Sequence, residues 1–214
     1  MKQLSMVLLF FFITGLMYGQ EQAETLFGNG NVTFGGYGAV ETKFTGLDSK
    51  AALLVGGRGG LIINHFFSIG LGGYGLVTKQ SIDRLKVSDP YNLDSTAYLR
   101  VGYGGLHLGI SAEPNSLLHI TGGLLIGGGW VAYTSNYSYS NHNHNFGESD
   151  WTVYNSSAFF VMEPYLGAEL NVTSFFRLEA SASYRFVSGV ELPLTKNSDI
   201  GGVSGNLTFK FGKF

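Results

Sequence analysis

From residue 31 onward the chain alternates apolar and polar positions with a period of two, and no helical period persists. Val32, Phe34, Val40 and Phe44 share one phase with Gly36 and Gly38, while Thr33, Tyr37, Glu41 and Lys43 occupy the other. Leu53, Val55, Leu61 and Ile63 oppose Arg58, and Phe67, Ile69, Leu71 and Val77 oppose Ser68, Gly70, Gly72 and Thr78. Phe160, Met162, Leu166, Ala168 and Leu170 oppose Glu163, Tyr165 and Glu169. Phe176, Leu178, Ala180, Ala182, Tyr184 and Phe186 oppose Arg177, Glu179, Ser181, Ser183 and Arg185. Near the end, Val203, Leu207, Phe209 and Phe211 oppose Ser204, Asn206, Thr208 and Lys210.

This pattern predicts eight strands, at 31–44, 51–63, 66–79, 96–110, 117–134, 151–171, 174–188 and 201–213. The gaps alternate long and short. Asn64-His65, Ser111 to Ser116 and Val172-Thr173 read as turns at one end, and 45–50, 80–95, 135–150 and 189–200 as loops at the other. Three irregularities are expected. Leu99, Val101 and Tyr103 change phase with Leu106, Leu108 and Ile110, which points to a bulge at Gly104-Gly105. Strand 117–134 is apolar in both phases, so its register is unreadable, and Pro164 removes a ladder donor from the middle of its strand.

Two facts bear on where such a sheet sits. The first residues, Met1-Lys2-Gln3, carry a positive charge before an apolar run from Met6 to Met17 that is too short to prefer spanning a bilayer. Residues 1–19 therefore read as a signal peptide cleaved after Gly19, 20–30 as a periplasmic tail and 31–214 as the barrel. Charged residues are only 13% of the chain, and on the strands they sit in the polar phase. Glu41, Glu163, Glu169 and Glu179 stand against Lys43, Arg58, Arg100, Arg177, Arg185 and Lys210, a set suited to pairing across a narrow lumen. The apolar phase is free of charge until Lys213. A charge at mid-bilayer costs about 2–4 kcal/mol, so the apolar phase faces lipid and the charged phase faces inward. A soluble barrel would reverse the two faces.

A signal peptide, eight alternating strands and the aromatic terminus Leu207-Thr208-Phe209-Lys210-Phe211-Gly212-Lys213-Phe214 resemble small bacterial outer-membrane β-barrels of the OmpA/OmpX type. The resemblance implies an all-β, eight-stranded antiparallel transmembrane barrel in the outer membrane of a Gram-negative bacterium. It implies outer-membrane lipids and lipopolysaccharide as surroundings, and Phe214 as the residue read by the barrel-assembly machinery. Phe209 and Phe211 are out of phase with Phe214, a departure from the family pattern. It also implies a barrel without the peptidoglycan-binding domain of the longer members.

Composition narrows the chemistry. The absence of cysteine removes disulfides and thiol chemistry, and a net charge of −2 leaves no footprint for nucleic acid. Glycine, 32 of 214 residues, makes a chance match of Gly70-Leu71-Gly72-Gly73-Tyr74-Gly75 to a dinucleotide motif easy, and a strand rather than a helix follows it. His142 and His144 with Glu148 and Asp150 have metal-ligand chemistry but lie in an Asn- and Ser-rich loop. His107, Ser111 and Glu113 have the residue types of a hydrolase, yet four residues along a strand is roughly 13 Å, too far for a direct hydrogen bond. The expected protein has no cofactor and no catalytic residues. Its role is envelope integrity or surface interaction with an extracellular ligand, through loops carrying Arg84, Lys86, Asp89, Asp94, Tyr137, Tyr139 and Lys196. A lipid A-modifying enzyme and a narrow small-solute channel are the rival readings.

Overall fold

A computed structural model describes residues 32–89, 92–136 and 151–214. The described chain forms strands β1 (Phe34–Leu47), β2 (Lys50–Ile63), β3 (Phe67–Leu76), β4 (Gln80–Asp89), β5 (Asn92–Ser111), β6 (Leu118–Asn136), β7 (Trp151–Asn171), β8 (Phe176–Ser188) and β9 (Gly202–Lys213), and one helical turn, α1 (Asn197–Ile200). All neighbours pair antiparallel, and pairing of β3 with β5 as well as β2 closes the sheet into a ring. The ring has eight staves, because β3 and β4 are two halves of the third.

The break between them is a bulge. Gly75 lies opposite Gly102 and Gln80 opposite Leu99, so residues 76–79 face only 100–101. One backbone and two side-chain hydrogen bonds suture the gap toward β2: Val77 N–H donates to the Leu53 carbonyl at 3.0 Å, Leu53 N–H to Thr78 Oγ1 at 3.2 Å, and Gln80 Nε2 to the Ala51 carbonyl at 2.6 Å. This satisfies backbone groups that the diverging strands would otherwise strand.

The expected bulge at Gly104-Gly105 does not form. Gly104 and Gly105 keep unbroken register with Gly73 and Gly72 on one side and with Gly128 and Gly127 on the other. The apparent slip has another origin: Leu99, Val101 and Tyr103 point inward and are buried, while Leu106 and Ile110 point outward. The upper lumen is apolar, so polarity there stops marking the face. The same fact explains β6, where Leu125, Val131 and Tyr133 are buried inside and Leu118, Ile120 and Trp130 lie outside. At Pro164 the ladder to β8 skips two positions, with pairing resuming in the same register from Tyr165–Ser183. Proline without an N–H accounts for the gap.

The turns also depart from expectation at one end. The gap 45–50 is a two-residue hairpin turn, with Asp48 at φ 46° and Ser49 at φ 60°, the paired left-handed conformation of a type I′ turn. Asn64 and His65 form the same turn, at φ 53° and 60°, between β2 and β3. Region 80–95 is mostly strand rather than loop, because β4 and β5 continue as a hairpin. Outward-facing Phe34, Val40, Phe44, Leu61, Leu71, Leu118, Leu166 and Phe211 are exposed around the ring. Such a surface is stable only against hydrocarbon.

Candidate functional site

The lumen is filled in two layers. The layer nearer the chain ends is ionic and is built by the inward phase of eight strands, all but β4. Arg58, on β2, is its hub. Its Nε lies 3.1 Å from Glu41 Oε2 and its Nη2 2.6 Å from Glu179 Oε1, while Nη1 donates to His107 Nε2 at 2.6 Å. A guanidinium only donates, so His107 is a neutral imidazole carrying its proton on Nδ1, toward Tyr37 Oη at 3.4 Å. Below the hub, Lys210 bridges Glu169 and Glu179, Arg177 Nη1 donates to Glu169 at 2.9 Å, and His119 Nε2 lies 3.1 Å from the same carboxylate. Above it, Lys43 Nζ reaches Glu163 at 2.8 Å and Glu41 at 3.5 Å. Glu163 also accepts from Tyr103 Oη at 2.7 Å and Ser183 Oγ at 2.6 Å, and Glu41 accepts from Tyr74 Oη at 3.1 Å. Each of the four carboxylates thus meets at least one Lys or Arg, the condition under which charge can sit at low dielectric.

The layer nearer the loops is apolar. Leu47, Leu54, Leu99, Val131, Phe159 and Val161 pack with Ile200 of α1, which is fully buried. Segment 189–201 therefore folds into the mouth instead of standing out as a loop. Arg185 Nε donates to the Ile200 carbonyl at 2.8 Å, Tyr133 Oη pairs with Thr195 Oγ1 at 2.7 Å, and Asp48 N–H donates to the Asp199 carbonyl at 2.9 Å. Lys196 is exposed, as expected, and caps the start of α1, where its N–H donates to Asp199 Oδ2 at 2.7 Å.

Charged side chains are inside and apolar ones outside, with Arg100 and Lys213 near the two ends of the outward phase. The chain is a transmembrane β-barrel. No family model and no curated protein matches it. Among solved structures it is similar to Neisserial surface protein A at 13% identity, covering 86% of this chain and 100% of that one, with a TM-score of 0.47. It is similar to Ail of Yersinia pestis, solved with the heparin analogue sucrose octasulfate, at 12% identity over 85% and 97% of the two chains, with a TM-score of 0.43. A third likeness is to CarO2 of Acinetobacter baumannii, at 12% identity over 86% and 100%, with a TM-score of 0.36. The barrel assignment rests on the chain's own pairing and surface.

Of the ten charged residues expected in the lumen, the structure brings nine together. Arg100 is the correction: it occupies the outward phase of β5, opposite Ala132, because the unbroken register gives the inward position to Leu99 and Val101. Its removal leaves four carboxylates and five Lys or Arg inside. Phe214 is inward as well, its ring 4.0 Å from the Arg177 guanidinium at the mouth by the chain ends. The lipid-facing terminal aromatics are Phe209 and Phe211. His107, Ser111 and Glu113 do not converge, since His107 is held by Arg58 and Glu113 Oε2 accepts from Ser116. The glycine run 70–75 lies within β3 and β2–β3–β5 pairing, not at a helix. His142, His144, Glu148, Asp150, Tyr137 and Tyr139 lie outside the described residues, as do the side chains of Arg84, Lys86, Asp89 and Asp94.

The lumen residues that sequence reasoning missed are Tyr74, Tyr103, His119 and Ile200. For inward rings such as Tyr74, the signal was glycine. A Cβ at Gly56 would lie 2.6 Å from the Tyr74 ring, at Gly123 2.6 Å from the Tyr165 ring, and at Gly129 2.4 Å from the Phe159 ring. Inward glycines mark where a neighbouring strand sends a ring across the lumen. Two lumen cavities lined by described residues are small: one of about 10 Å³ among Glu41, Arg58, His107 and Glu163, and one of about 20 Å³ beneath Tyr37, Thr121 and Phe214. Each is near the size of a single water.

Proposed function

We propose that this barrel is a non-enzymatic surface protein whose work is done by the part of its wall that rises beyond the bilayer. The observation that carries this reading is unequal strand length. β5, β6 and β7 run 20, 19 and 21 residues, whereas β1, β2, β8 and β9 run 14, 14, 13 and 12. About 9–11 tilted residues cross the bilayer. Among the described residues, the surplus on β4 to β7 stands on one side as a sheet with no further ladder at its edges: β2 pairs last with β3 at Leu54–Leu76, and β8 last with β7 at Phe160–Ser188. Free edges and outward side chains are recognition surfaces for another chain or for surface saccharide. The filled lumen supports this reading over a solute channel.

The test replaces residues 83–94 and 137–150 by two-residue turns and compares the trimmed barrel with a deletion strain. Both the trimmed protein and the parent are expected to show heat-dependent mobility on SDS gels, and the trimmed strain to share the deletion strain's loss of surface attachment. Discrete unit conductance of the parent in planar bilayers, or full attachment by the trimmed strain, would overturn the proposal.

A further inference from the structure

Arg185 is fully buried, and it is the one lumen cation among the described residues with no carboxylate in ion-pairing distance. Its neighbours are neutral oxygens: the Ile200 carbonyl at 2.8 Å from Nε, Tyr103 Oη at 3.2 Å from Nη1 and Thr45 Oγ1 at 3.3 Å from Nη2. Three of its five N–H directions are so taken. An unpaired buried guanidinium is costly, and a planar carboxylate is the partner that fits it best. Arg185 also lies at a boundary, with the ionic layer on one side and the apolar cup on the other.

What covers it is one segment. Residues 190–201 enter and leave the mouth through Gly189 at φ 96° and Gly202 at φ 145°, conformations that glycine alone adopts at little cost. Between these hinges the segment is held by a few hydrogen bonds, by Val190 and Leu192 packed against the rim of the apolar cluster, and by Ile200, whose side chain joins Leu47, Leu54, Leu99, Val131 and Phe159. If the segment swings out, Ile200 leaves an apolar hollow open to the loop side, and Arg185 Nε loses its carbonyl.

We propose that residues 190–201 are a displaceable lid over an extracellular binding site for an apolar monocarboxylate, whose carboxylate pairs with Arg185 and whose tail replaces Ile200. The carboxylate supplies a counter-charge in direct contact, which Glu163 gives Arg185 only through the Tyr103 hydroxyl between them, and the hollow offers a tail nothing polar to desolvate. A ligand that binds only the open form binds more weakly in proportion to the open fraction, so loosening the lid strengthens binding.

Octanoate is the probe and octan-1-ol its uncharged counterpart, each titrated calorimetrically into the purified, detergent-folded protein. Octanoate is expected to bind, octan-1-ol is not, and Ile200→Ala is expected to bind octanoate at least tenfold more tightly than the parent. Arg185→Leu is expected to lose octanoate binding while keeping its heat-dependent gel shift. Should that variant not fold, an Asp48→Cys/Asp199→Cys pair decides, since the chain has no other cysteine and those backbones are hydrogen-bonded at 2.9 Å. Oxidation is expected to abolish binding and reduction to restore it. Absence of octanoate binding by both parent and Ile200→Ala up to about 10 mM, equal binding of octan-1-ol, or binding unchanged in the oxidised double-cysteine protein would overturn the proposal.

Discussion

Replacing Glu163 by Leu tests whether the ionic layer is a cooperative support or a passive filling. Glu163 is 1% exposed and accepts from Lys43 Nζ at 2.8 Å, Tyr103 Oη at 2.7 Å and Ser183 Oγ at 2.6 Å. Leucine fills most of the volume but accepts nothing. Lys43 is then left with Glu41 at 3.5 Å and with the Tyr74 ring, 3.8 Å from Nζ. Removing one partner of a buried ion pair costs about 3–5 kcal/mol. The two stranded hydroxyls would add about 1 kcal/mol or more each, which partial repacking and the residual Lys43–Glu41 attraction offset. A net loss of about 4 kcal/mol is expected. In urea unfolding from lipid vesicles, followed by tryptophan fluorescence, this lowers the midpoint by about 2 M at a slope of about 2 kcal/mol per molar. Lys43→Met alone is expected to cost about 3 kcal/mol, and the double variant to fall short of the sum by at least about 2 kcal/mol, because neither charge is left stranded. A Glu163→Leu midpoint within about 0.5 M of the parent, or strictly additive effects, would refute the reasoning.

Three further outcomes follow from the wall. Leu71, 69% exposed in the outward phase, lies in the belt, so Leu71→Arg is expected to cost about 2–4 kcal/mol in the same unfolding assay; a silent change would place it outside the hydrocarbon. Gly123→Ala would put a Cβ 2.2 Å from the Leu108 carbonyl and 2.6 Å from the Tyr165 ring, whereas a Cβ at Gly38 meets nothing within 4 Å. Assembly, read as the fraction showing the gel shift, is expected to fall for Gly123→Ala and to hold for Gly38→Ala. Ser49, at φ 60°, sits in a left-handed turn position, so Ser49→Gly is expected to stabilise the barrel by about 0.5–1 kcal/mol and Ser49→Val to destabilise it.

The strands whose two faces differ chemically along their whole length were readable in the sequence. β8 and β9 are examples: Arg177, Glu179, Ser183, Arg185, Ser204, Asn206, Thr208 and Lys210 are all buried, and Tyr184, Phe186, Phe209 and Phe211 are all exposed. β5 and β6 were not, because their inward positions switch from polar to apolar partway up. His107 and Tyr103 are inward, and so are Leu99 and Val101, so a rule that equates polar with inward assigns Arg100 to the wrong face. The turn at Asp48-Ser49 was hidden for a related reason. Leu47 faces the lumen but is the lone apolar residue in Thr45-Gly46-Leu47-Asp48-Ser49-Lys50, so that stretch carried no sign that β1 continued past Phe44. The last segment was obscured by its composition: Lys196, Asn197, Ser198 and Asp199 look solvated, and only Ile200 at its end betrays the inward fold.

These failures share one physical cause, and it bears on what the molecule does. A barrel of this size must fill its lumen, and either a paired ionic network or an apolar cluster can do so. The two fillings differ in how they respond to removal of a piece. Glu169, Glu179, Arg58 and Lys210 hold one another from four different strands, so none can leave without stranding a charge. The apolar layer is closed by Ile200, with Val190 and Leu192 packed beside it, all carried on a segment with a glycine hinge at each end. Displacing it exposes hydrocarbon surface, and Arg185 Nε loses its bond to the Ile200 carbonyl, but no ion pair breaks. The ionic layer therefore fixes the barrel's cross-section, and the opposite end, where β4 to β7 also rise highest, is the one that can rearrange.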